Sequence, residues 1–335
     1  MSGRENDTRM NESVIETRGL CKSFVSRQKE GKIQAVDGLD IVVQRGETLG
    51  LLGADGAGKT TTLRLLNGLL RPDRGVARVM GFDTVREFRQ IHLRAGYMPQ
   101  QFTLYGDMSV LENLNFFAEV RGLTRSQKEE RIPRLLHFAR LEEFQGRLAS
   151  QLSGGMKKKL VLACMLVHEP EVVFLDEPTL GVDPVSRREF WNLLSDLRAE
   201  KGLTIFVCTP YMDEAERCHR VGLMYEGRLV ACDTPQAIRR TVPGELLEVQ
   251  PSALYTARDM VRQLQGVLEV QTYGDLLHVF VDSVQKRAGQ IQATLEGQNI
   301  TVNHVRRIEP RMEEAFVSLI RRHGRAASRS TGERS

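Results

Sequence analysis

Residues 53–60 form Gly-Ala-Asp-Gly-Ala-Gly-Lys-Thr, and this spacing constrains the fold more than any other stretch of the chain. The pattern G-x-x-x-x-G-K-[ST] is typical of a loop whose backbone N–H groups surround a phosphate. Lys59 then reaches the phosphate oxygens, and the hydroxyl of Thr60 can bind Mg²⁺. The flanks agree, since residues 47–52 predict a buried strand and residues 61–70 a helix whose N-terminus faces the anion. An accidental glycine-rich turn is the weaker interpretation.

This loop supplies most of the residues that we predict to contact a nucleotide. They are Gly53, Ala54, Asp55, Gly56, Ala57, Gly58, Lys59, Thr60 and Thr61. Phe24 lies upstream in a strand-like segment, where its ring suits either a core position or a platform for an adenine base.

Length and composition limit the class of protein. A chain of 335 residues exceeds the size at which one core stops growing, so we expect two domains. The net charge of +4 is small, and it does not indicate a nucleic-acid partner. The five cysteines form no C-x-x-C pair, which favours reduced thiols over a disulfide or metal framework. We find no leader-like segment and no apolar run near ~18 residues, so any membrane role is expected to come through a partner.

The segment before the phosphate loop predicts β structure. Residues 35–43 and 47–52 are both strand-like and flank a turn at Arg45 and Gly46. We therefore expect these two strands to pair in an antiparallel layer that leads into an α/β core.

A helical lobe is expected at about residues 102–168. Ser109 and Glu112 have the spacing of a capping box at the start of one helix. Further on, Ser153 is placed to cap another helix, whose N-terminus favours an anion; an ordinary capped helix is the alternative.

Two acids follow the hydrophobic run at residues 172–175. Asp176 can hold the Mg²⁺ shell, and Glu177 can polarise an attacking water. A merely solvated pair is the alternative, but a strand of four apolar residues points these acids towards the ligand edge of the sheet. Asp183 precedes Pro184 and is expected to cap the next helix.

Residues 244–320 predict a second domain with the order β-α-β-β-α-β-α. A hairpin turn is expected at Gly274 and Asp275. A small ferredoxin-like module fits this order, with a role in docking or regulation and no chemistry of its own. Residues 1–13 and 321–335 are expected to be disordered tails.

The order of motifs resembles the nucleotide-binding subunit of an ATP-binding-cassette (ABC) transporter. The motifs are residues 53–60, Gln100, residues 152–156, residues 175–177 and residues 180–183. The resemblance covers residues 14–240, and its details are most similar to bacterial multidrug or antibiotic exporter ATPases. It implies an α/β phosphate-loop NTPase cassette with a RecA-like core, an antiparallel β layer and a helical lobe, followed by the small C-terminal α+β module.

The same resemblance implies a role for each motif in a head-to-tail dimer. Each ATP would lie between the phosphate loop of one subunit and the signature segment of the other. The implied signature residues are Leu152, Ser153, Gly154, Gly155 and Met156. The implied Mg²⁺ ligands and sensors are Thr60, Gln100 and Asp176. Glu177 would be the general base, Asp183 would cross the dimer interface, and Phe24 would stack on adenine.

One position departs from the family pattern. The family has a switch histidine after the strand at residues 204–209, and this chain has Pro210 there. Proline offers no side-chain donor to link the γ-phosphate with Glu177, so hydrolysis in this subunit's own site is expected to be impaired. Asp55 is also unusual, because the family commonly has asparagine there and a carboxylate adds negative charge beside the phosphates.

These patterns lead to one main hypothesis and two alternatives. The main one is an ATPase with ATP and Mg²⁺ as cofactors, which drives integral-membrane permease subunits from the cytoplasmic face of a bacterial inner membrane, as a homodimer or with a second cassette. One alternative is a cassette that binds ATP structurally beside a catalytic partner. The other is a non-transport cassette acting on DNA or ribosomes, disfavoured because the chain has one cassette and no sustained heptads; no nucleic-acid partner is expected.

Overall fold

The computed structural model describes residues 12–25, 31–101 and 104–332. The chain divides into two compact units, Met1–Thr234 and Pro235–Ser335. The division falls earlier than the predicted limits of 240 and 244. The physical reason is that the short helix Pro235–Arg239 packs against the last helix of the chain, and so belongs to the second unit.

The first unit contains a four-stranded antiparallel layer. Its strands are β1 (Ser13–Val25), β2 (Lys32–Gln44), β4 (Arg74–Val79) and β5 (Phe82–Asp83), in the order β2-β1-β4-β5. The antiparallel layer is therefore confirmed, but the predicted pairing of residues 35–43 with residues 47–52 is wrong. Strand β3 (Thr48–Leu52) leaves this layer after the turn and joins a different sheet, because its backbone is paired on both sides by strands distant in sequence.

That second sheet has six strands and is mostly parallel. Besides β3 it contains β6 (Ala95–Met98), β7 (Val172–Asp176), β8 (Thr204–Thr209), β9 (Arg220–Tyr225) and β10 (Arg228–Asp233). The order is β10-β9-β3-β8-β7-β6, with only β10 antiparallel to its neighbour. Every residue of β3, β7 and β8 is buried, as expected for parallel strands covered on both faces.

Helices surround this sheet and form the lobe. They are α1 (Lys59–Leu66), α2 (Phe88–Arg94), α3 (Val110–Val120), α4 (Arg125–Ala139), α5 (Gly154–Leu166), α6 (Pro184–Lys201) and α7 (Met212–Ala215). The predicted lobe agrees with α3, α4 and α5, while residues 102 and 103 lie outside the described residues. The capping box is confirmed: Ser109 Oγ accepts from the Glu112 N–H, and Glu112 accepts from the Ser109 N–H.

After a first short helix, the second unit has the β-α-β-β-α-β-α order that the sequence predicts for residues 244–320. Its elements are α8 (Pro235–Arg239), β11 (Glu245–Pro251), α9 (Leu254–Val261), β12 (Val267–Tyr273), β13 (Leu276–Val281), α10 (Val284–Glu296), β14 (Val302–Ile308) and α11 (Met312–Gly332). The four strands form one antiparallel sheet in the order β12-β13-β11-β14. Assignment to the ferredoxin-like class stays a prediction.

Residues 321–332 continue α11, and the disorder of residues 321–335 stays a prediction. Arg321 Nη1 lies 3.0 Å from Glu269 Oε1 and also donates to the Val270 carbonyl. At the other end, Ser13 already belongs to β1. Residues 1–11 and 333–335 of the predicted tails lie outside the described residues.

Candidate active site

The candidate site lies at the carboxyl ends of three adjacent parallel strands. The phosphate loop (residues 53–60) follows β3, Asp176 ends β7 with Glu177 directly after it, and Pro210 follows β8. Parallel strands place their carboxyl ends at one edge of a sheet, so these segments converge although 157 positions separate Gly53 from Pro210.

The phosphate loop wraps around the amino group of Lys59. This side chain is 3% exposed, and its Nζ donates to the carbonyls of Gly53 at 2.7 Å and Ala54 at 3.1 Å. The helix α1 begins at Lys59 and ends at Leu66, earlier at both ends than the predicted 61–70. Its first turn leaves N–H groups without helical partners, which suits an anion.

The residues of the loop differ in burial. Gly53, Ala57 and Lys59 are buried, Gly58, Thr60 and Thr61 are half-buried, and Ala54, Asp55 and Gly56 are exposed. Gly58 has φ +106°, and a Cβ there would lie 2.1 Å from the Ala35 carbonyl oxygen, so only glycine fits. Gly56 has φ +78° with open space around it, which leaves the outer curve of the loop accessible.

The two acids have different surroundings. The Thr60 hydroxyl donates to Asp176 Oδ1 at 3.1 Å, so the two residues predicted to hold Mg²⁺ are in contact. Burial raises the pKa of Asp176, and the neighbouring charge of Glu177 acts in the same direction. A hydroxyl beside a desolvated carboxylate is a donor set that Mg²⁺ accepts, and the adjacent lysine suits phosphate oxygens, so these residues fit a Mg²⁺–nucleotide complex.

Glu177 is held between two groups from other segments. Its Oε1 lies 3.8 Å from Lys59 Nζ, and its Oε2 accepts a hydrogen bond from Gln100 Nε2 at 2.9 Å. The structure thus brings Gln100 to the predicted base. Glu177 also adopts φ +49°, the left-handed region that non-glycine residues rarely occupy. Such outliers concentrate at functional sites.

The signature segment (residues 152–156) caps and begins α5. Leu152 is buried, and Ser153 Oγ accepts from the Met156 N–H at 3.3 Å, which confirms the predicted cap. Within the described residues, no hydrogen bond or ion pair joins this segment to the phosphate loop. A Cβ on Gly155 would lie 2.4 Å from Ser186 Oγ, whereas one on Gly154 would meet only the Gly181 carbonyl oxygen at 3.9 Å.

Asp183, the residue expected at the dimer interface, caps α6. Its Oδ1 accepts from the N–H groups of Ser186 at 2.9 Å and Val185 at 3.1 Å. These bonds hold the pKa of the Asp183 carboxyl below its usual value. The predicted cap is confirmed, and its role towards a partner stays a prediction.

Phe24 lies near the end of β1 and is 41% exposed, so the interpretation as a core aromatic is wrong. Its ring centroid lies 5.8 Å from Lys22 Nζ. The adenine-stacking role stays a prediction. Pro210 is half-buried directly after Thr209, and no side-chain donor stands at this position.

Sequence reasoning missed a buried polar cluster behind these strands. Glu214 is fully buried and accepts hydrogen bonds from the hydroxyls of Thr179 and Thr209. Its sequence context, Met-Asp-Glu-Ala-Glu, is charged and resembles a solvated helix. No pattern in the sequence distinguishes Glu214 from its exposed neighbours Asp213 and Glu216, so only the packing reveals it.

Comparisons with known proteins agree with this geometry. The family described as ABC transporter matches residues 36–180. The chain is 41% identical over 315 residues to a protein of Escherichia coli (strain K12) named probable multidrug ABC transporter ATP-binding protein YbhF, covering 93% of this chain and 53% of that protein. It is 40% identical over 278 residues to the Nod factor export ATP-binding protein I of Paraburkholderia xenovorans (strain LB400), covering 82% and 88%.

A solved structure supports the fold. The ATP-binding subunit of an ABC transporter superposes with a TM-score of 0.59 at 30% identity, covering 68% of this chain and 92% of that chain. The chain therefore belongs to the ABC transporter family, among its ATP-binding proteins, and has the ABC ATPase cassette fold. It spans about half the length of the Escherichia coli relative. Among the helices in the described ranges, none is long and apolar enough to cross a membrane.

Proposed function

We propose that this chain is the ATP-binding and ATP-hydrolysing subunit of an exporter, and that it powers separate integral-membrane permease subunits. The observation that carries the proposal is the meeting of Lys59, Thr60, Asp176 and Glu177 at one sheet edge. The names of the two relatives, which refer to multidrug transport and Nod factor export, support an export role for a drug-like or lipidic substrate. The subunit then acts peripherally at the cytoplasmic face of a bacterial inner membrane.

Each residue has a defined task in this proposal. Lys59 and the first turn of α1 bind and orient the phosphates, and Thr60 with Asp176 holds Mg²⁺, which neutralises phosphate charge when bound. Glu177 accepts the proton of the attacking water, and Gln100 orients the Glu177 carboxylate through its amide.

We further propose that turnover in this site is slow unless a second cassette supports it. Pro210 supplies no donor at the switch position, and removal of one transition-state donor typically costs about 10²–10³ in rate. A heterodimer with a second cassette, to which this chain lends its signature segment, fits best; a homodimer of low basal activity is the variant. A purely structural ATP-binding role is the second candidate, favoured by Pro210 alone.

The test is Lys59→Ala in a titration with a fluorescent ATP analogue and Mg²⁺. Nucleotide affinity is expected to fall at least about tenfold, because a charge-assisted contact to phosphate is worth roughly 1.5–3 kcal/mol. Lys128→Ala is the matched control, since Lys128 pairs with Glu119 on the helical lobe and its loss leaves the loop intact. Equal affinity of the wild type and Lys59→Ala would contradict the assignment of the site.

A further inference from the structure

Glu214 is a carboxylate without access to water. It is fully buried in α7, and each of its oxygens accepts a hydrogen bond from a different threonine. Thr209 Oγ1 donates to Oε2 at 2.6 Å, and Thr179 Oγ1 donates to Oε1. Both threonines are at most 1% exposed. A carboxylate in such surroundings is retained only where its oxygens find donors and an opposite charge.

The opposite charge comes from α6. Arg187 Nε lies 3.7 Å from Glu214 Oε1, and Nη1 lies 3.5 Å from Asp213 Oδ2. The guanidinium also stacks on Tyr211, 4.2 Å from the ring centroid. Arg187 stands on the first turn of α6, where its N–H donates to the carbonyl of Asp183. The cluster therefore reaches the helix that Asp183 caps.

Both threonine partners of Glu214 lie close in sequence to residues of the candidate site. Thr179 follows Glu177 by two positions, and Thr209 directly precedes Pro210. Proline has no N–H, so the segment after β8 cannot be fixed by a backbone donor at that residue. The next backbone N–H, that of Tyr211, donates to Thr209 Oγ1 at 3.0 Å. The turn at Pro210 is therefore fixed by the same hydroxyl that donates to Glu214.

We propose that Glu214 is a positioning residue for the hydrolysis step, an inference that rests on the function proposed above. Its carboxylate ties three segments together: the loop after Glu177, the turn at Pro210 and the first turn of α6. Glu177 is thereby held at a fixed place relative to the phosphate loop, although no side chain at position 210 can orient it.

The experiment compares two substitutions of Thr179: one keeps the side-chain volume, and the other keeps the hydroxyl. Thr179→Val removes the donor to Glu214, and Thr179→Ser keeps it. The matched control is Thr17→Val in β1: Thr17 is also buried, and its hydroxyl donates to the Leu39 carbonyl and accepts from the Ile41 N–H of β2, both at 2.8 Å. MgATP affinity, the single-turnover hydrolysis rate with the protein in saturating excess over MgATP, and the thermal midpoint are measured for each variant.

Thr179→Val is expected to lower the single-turnover rate at least about tenfold, since displacement of a catalytic group by about 1 Å costs up to 10²-fold. Its MgATP affinity should stay within about twofold of wild type, because the lost interaction acts on the reaction and not on binding. Thr179→Ser should restore the rate. Thr17→Val should lower the thermal midpoint without changing the rate per folded molecule. Glu214→Gln replaces one acceptor oxygen by an amide NH₂ group, which is a donor and would face a threonine hydroxyl that now donates to Glu214. This variant should therefore repeat the effect of Thr179→Val.

Two results would overturn the inference alone: a rate for Thr179→Val equal to that of Thr17→Val, or a Thr179→Ser variant as slow as Thr179→Val. A wild-type chain that fails to bind MgATP would instead overturn the proposed function and this inference with it. The affinity measurement therefore separates the two failures.

Discussion

Glycine is required at position 155 by packing and at position 154 by function, and stability measurements can distinguish these two requirements. A Cβ on Gly155 would lie 2.4 Å from Ser186 Oγ and 2.5 Å from Ser186 Cβ. The Oγ atom can rotate away, but the Cβ is fixed to the backbone of α6, so α5 and α6 must move apart. Such overpacking typically costs 1–3 kcal/mol, from which a gain of up to about 1 kcal/mol in helix propensity is subtracted. With the full gain subtracted, we expect Gly155→Ala to lose up to about 2 kcal/mol of unfolding free energy.

Gly154→Ala should behave differently. The added methyl would meet only the Gly181 carbonyl oxygen at 3.9 Å, an ordinary contact distance. We therefore expect its unfolding free energy to equal or exceed that of the wild type by up to about 1 kcal/mol. Glycine at position 154 is then a requirement of function, because a side chain there would stand where the partner's nucleotide is expected. Turnover by the assembled dimer should fall although the fold and this chain's own nucleotide affinity are kept.

Urea unfolding of the isolated chain without nucleotide provides the assay. A double-mutant cycle with Ser186→Gly isolates the clash: the second substitution removes the opposing Cβ, so the cost of Gly155→Ala should largely disappear in its presence. Equal losses for Gly154→Ala and Gly155→Ala, or a Gly155→Ala cost that Ser186→Gly does not relieve, would refute the packing argument.

Three further outcomes follow from the site and the domain division. Burial raises the pKa of Asp176 in the folded chain, so folding disfavours the charged carboxylate, and the contribution of Asp176 to stability falls as the pH rises towards that raised pKa. Asp176→Asn should therefore raise the thermal midpoint at pH 7. It should also weaken Mg²⁺-dependent nucleotide binding, measured by titration with and without EDTA. Pro210→His should raise the hydrolysis rate of the purified chain, by up to about 10²-fold if the new side chain reaches the γ-phosphate. A phosphate-release assay at saturating MgATP measures this rate. An unchanged rate would show that the missing side-chain donor at position 210 does not limit hydrolysis. A chain ending at Thr234 should bind MgATP as tightly as the full chain, because every residue of the candidate site lies in the first unit; a folded truncation without affinity would show that the second unit contributes to the site.

The parts of the site that the sequence predicts correctly depend on local information. Strand β7 has a continuous apolar run ended by acids, and its placement at Val172–Asp176 follows from that run alone. The caps at Ser109, Ser153 and Asp183 likewise follow from residues within three positions of each other. Burial and hydrogen bonding over such short distances are settled by the segment itself.

The errors occur where distant segments decide the structure. A turn at Arg45 and Gly46 between two strand-like runs predicts a hairpin, and Gly46 does adopt φ +72°. The Gly46 N–H, however, donates to the hydroxyl of Thr204 at the start of β8, and β3 continues parallel to β8. This contact crosses 158 positions, so no local pattern contains it. The same limit applies at Arg321 in α11, whose ion pair is to Glu269 on the distant strand β12.

The signature segment is expected to contact the nucleotide of a second cassette, and Asp176 and Glu177 are expected to act on this chain's own nucleotide. Packed helices connect these two parts of the chain. The signature segment at the start of α5 packs at Gly155 against Ser186, and Lys159, one turn later, pairs with Glu189 on α6. Helix α6 in turn places Arg187 beside Glu214, whose other contacts lie behind the acids of β7 and the turn at position 210. A movement of the signature segment relative to Glu177 would disturb either the half-buried Lys159–Glu189 pair or the contact of Arg187 with Glu214. Because polar contacts of a buried group such as Glu214 are costly to leave unmade, we expect motion of the signature segment to be coupled to the acids of this chain's own site. Under the proposed function, a subunit whose own site turns over slowly would then still transmit the state of that site to a second cassette.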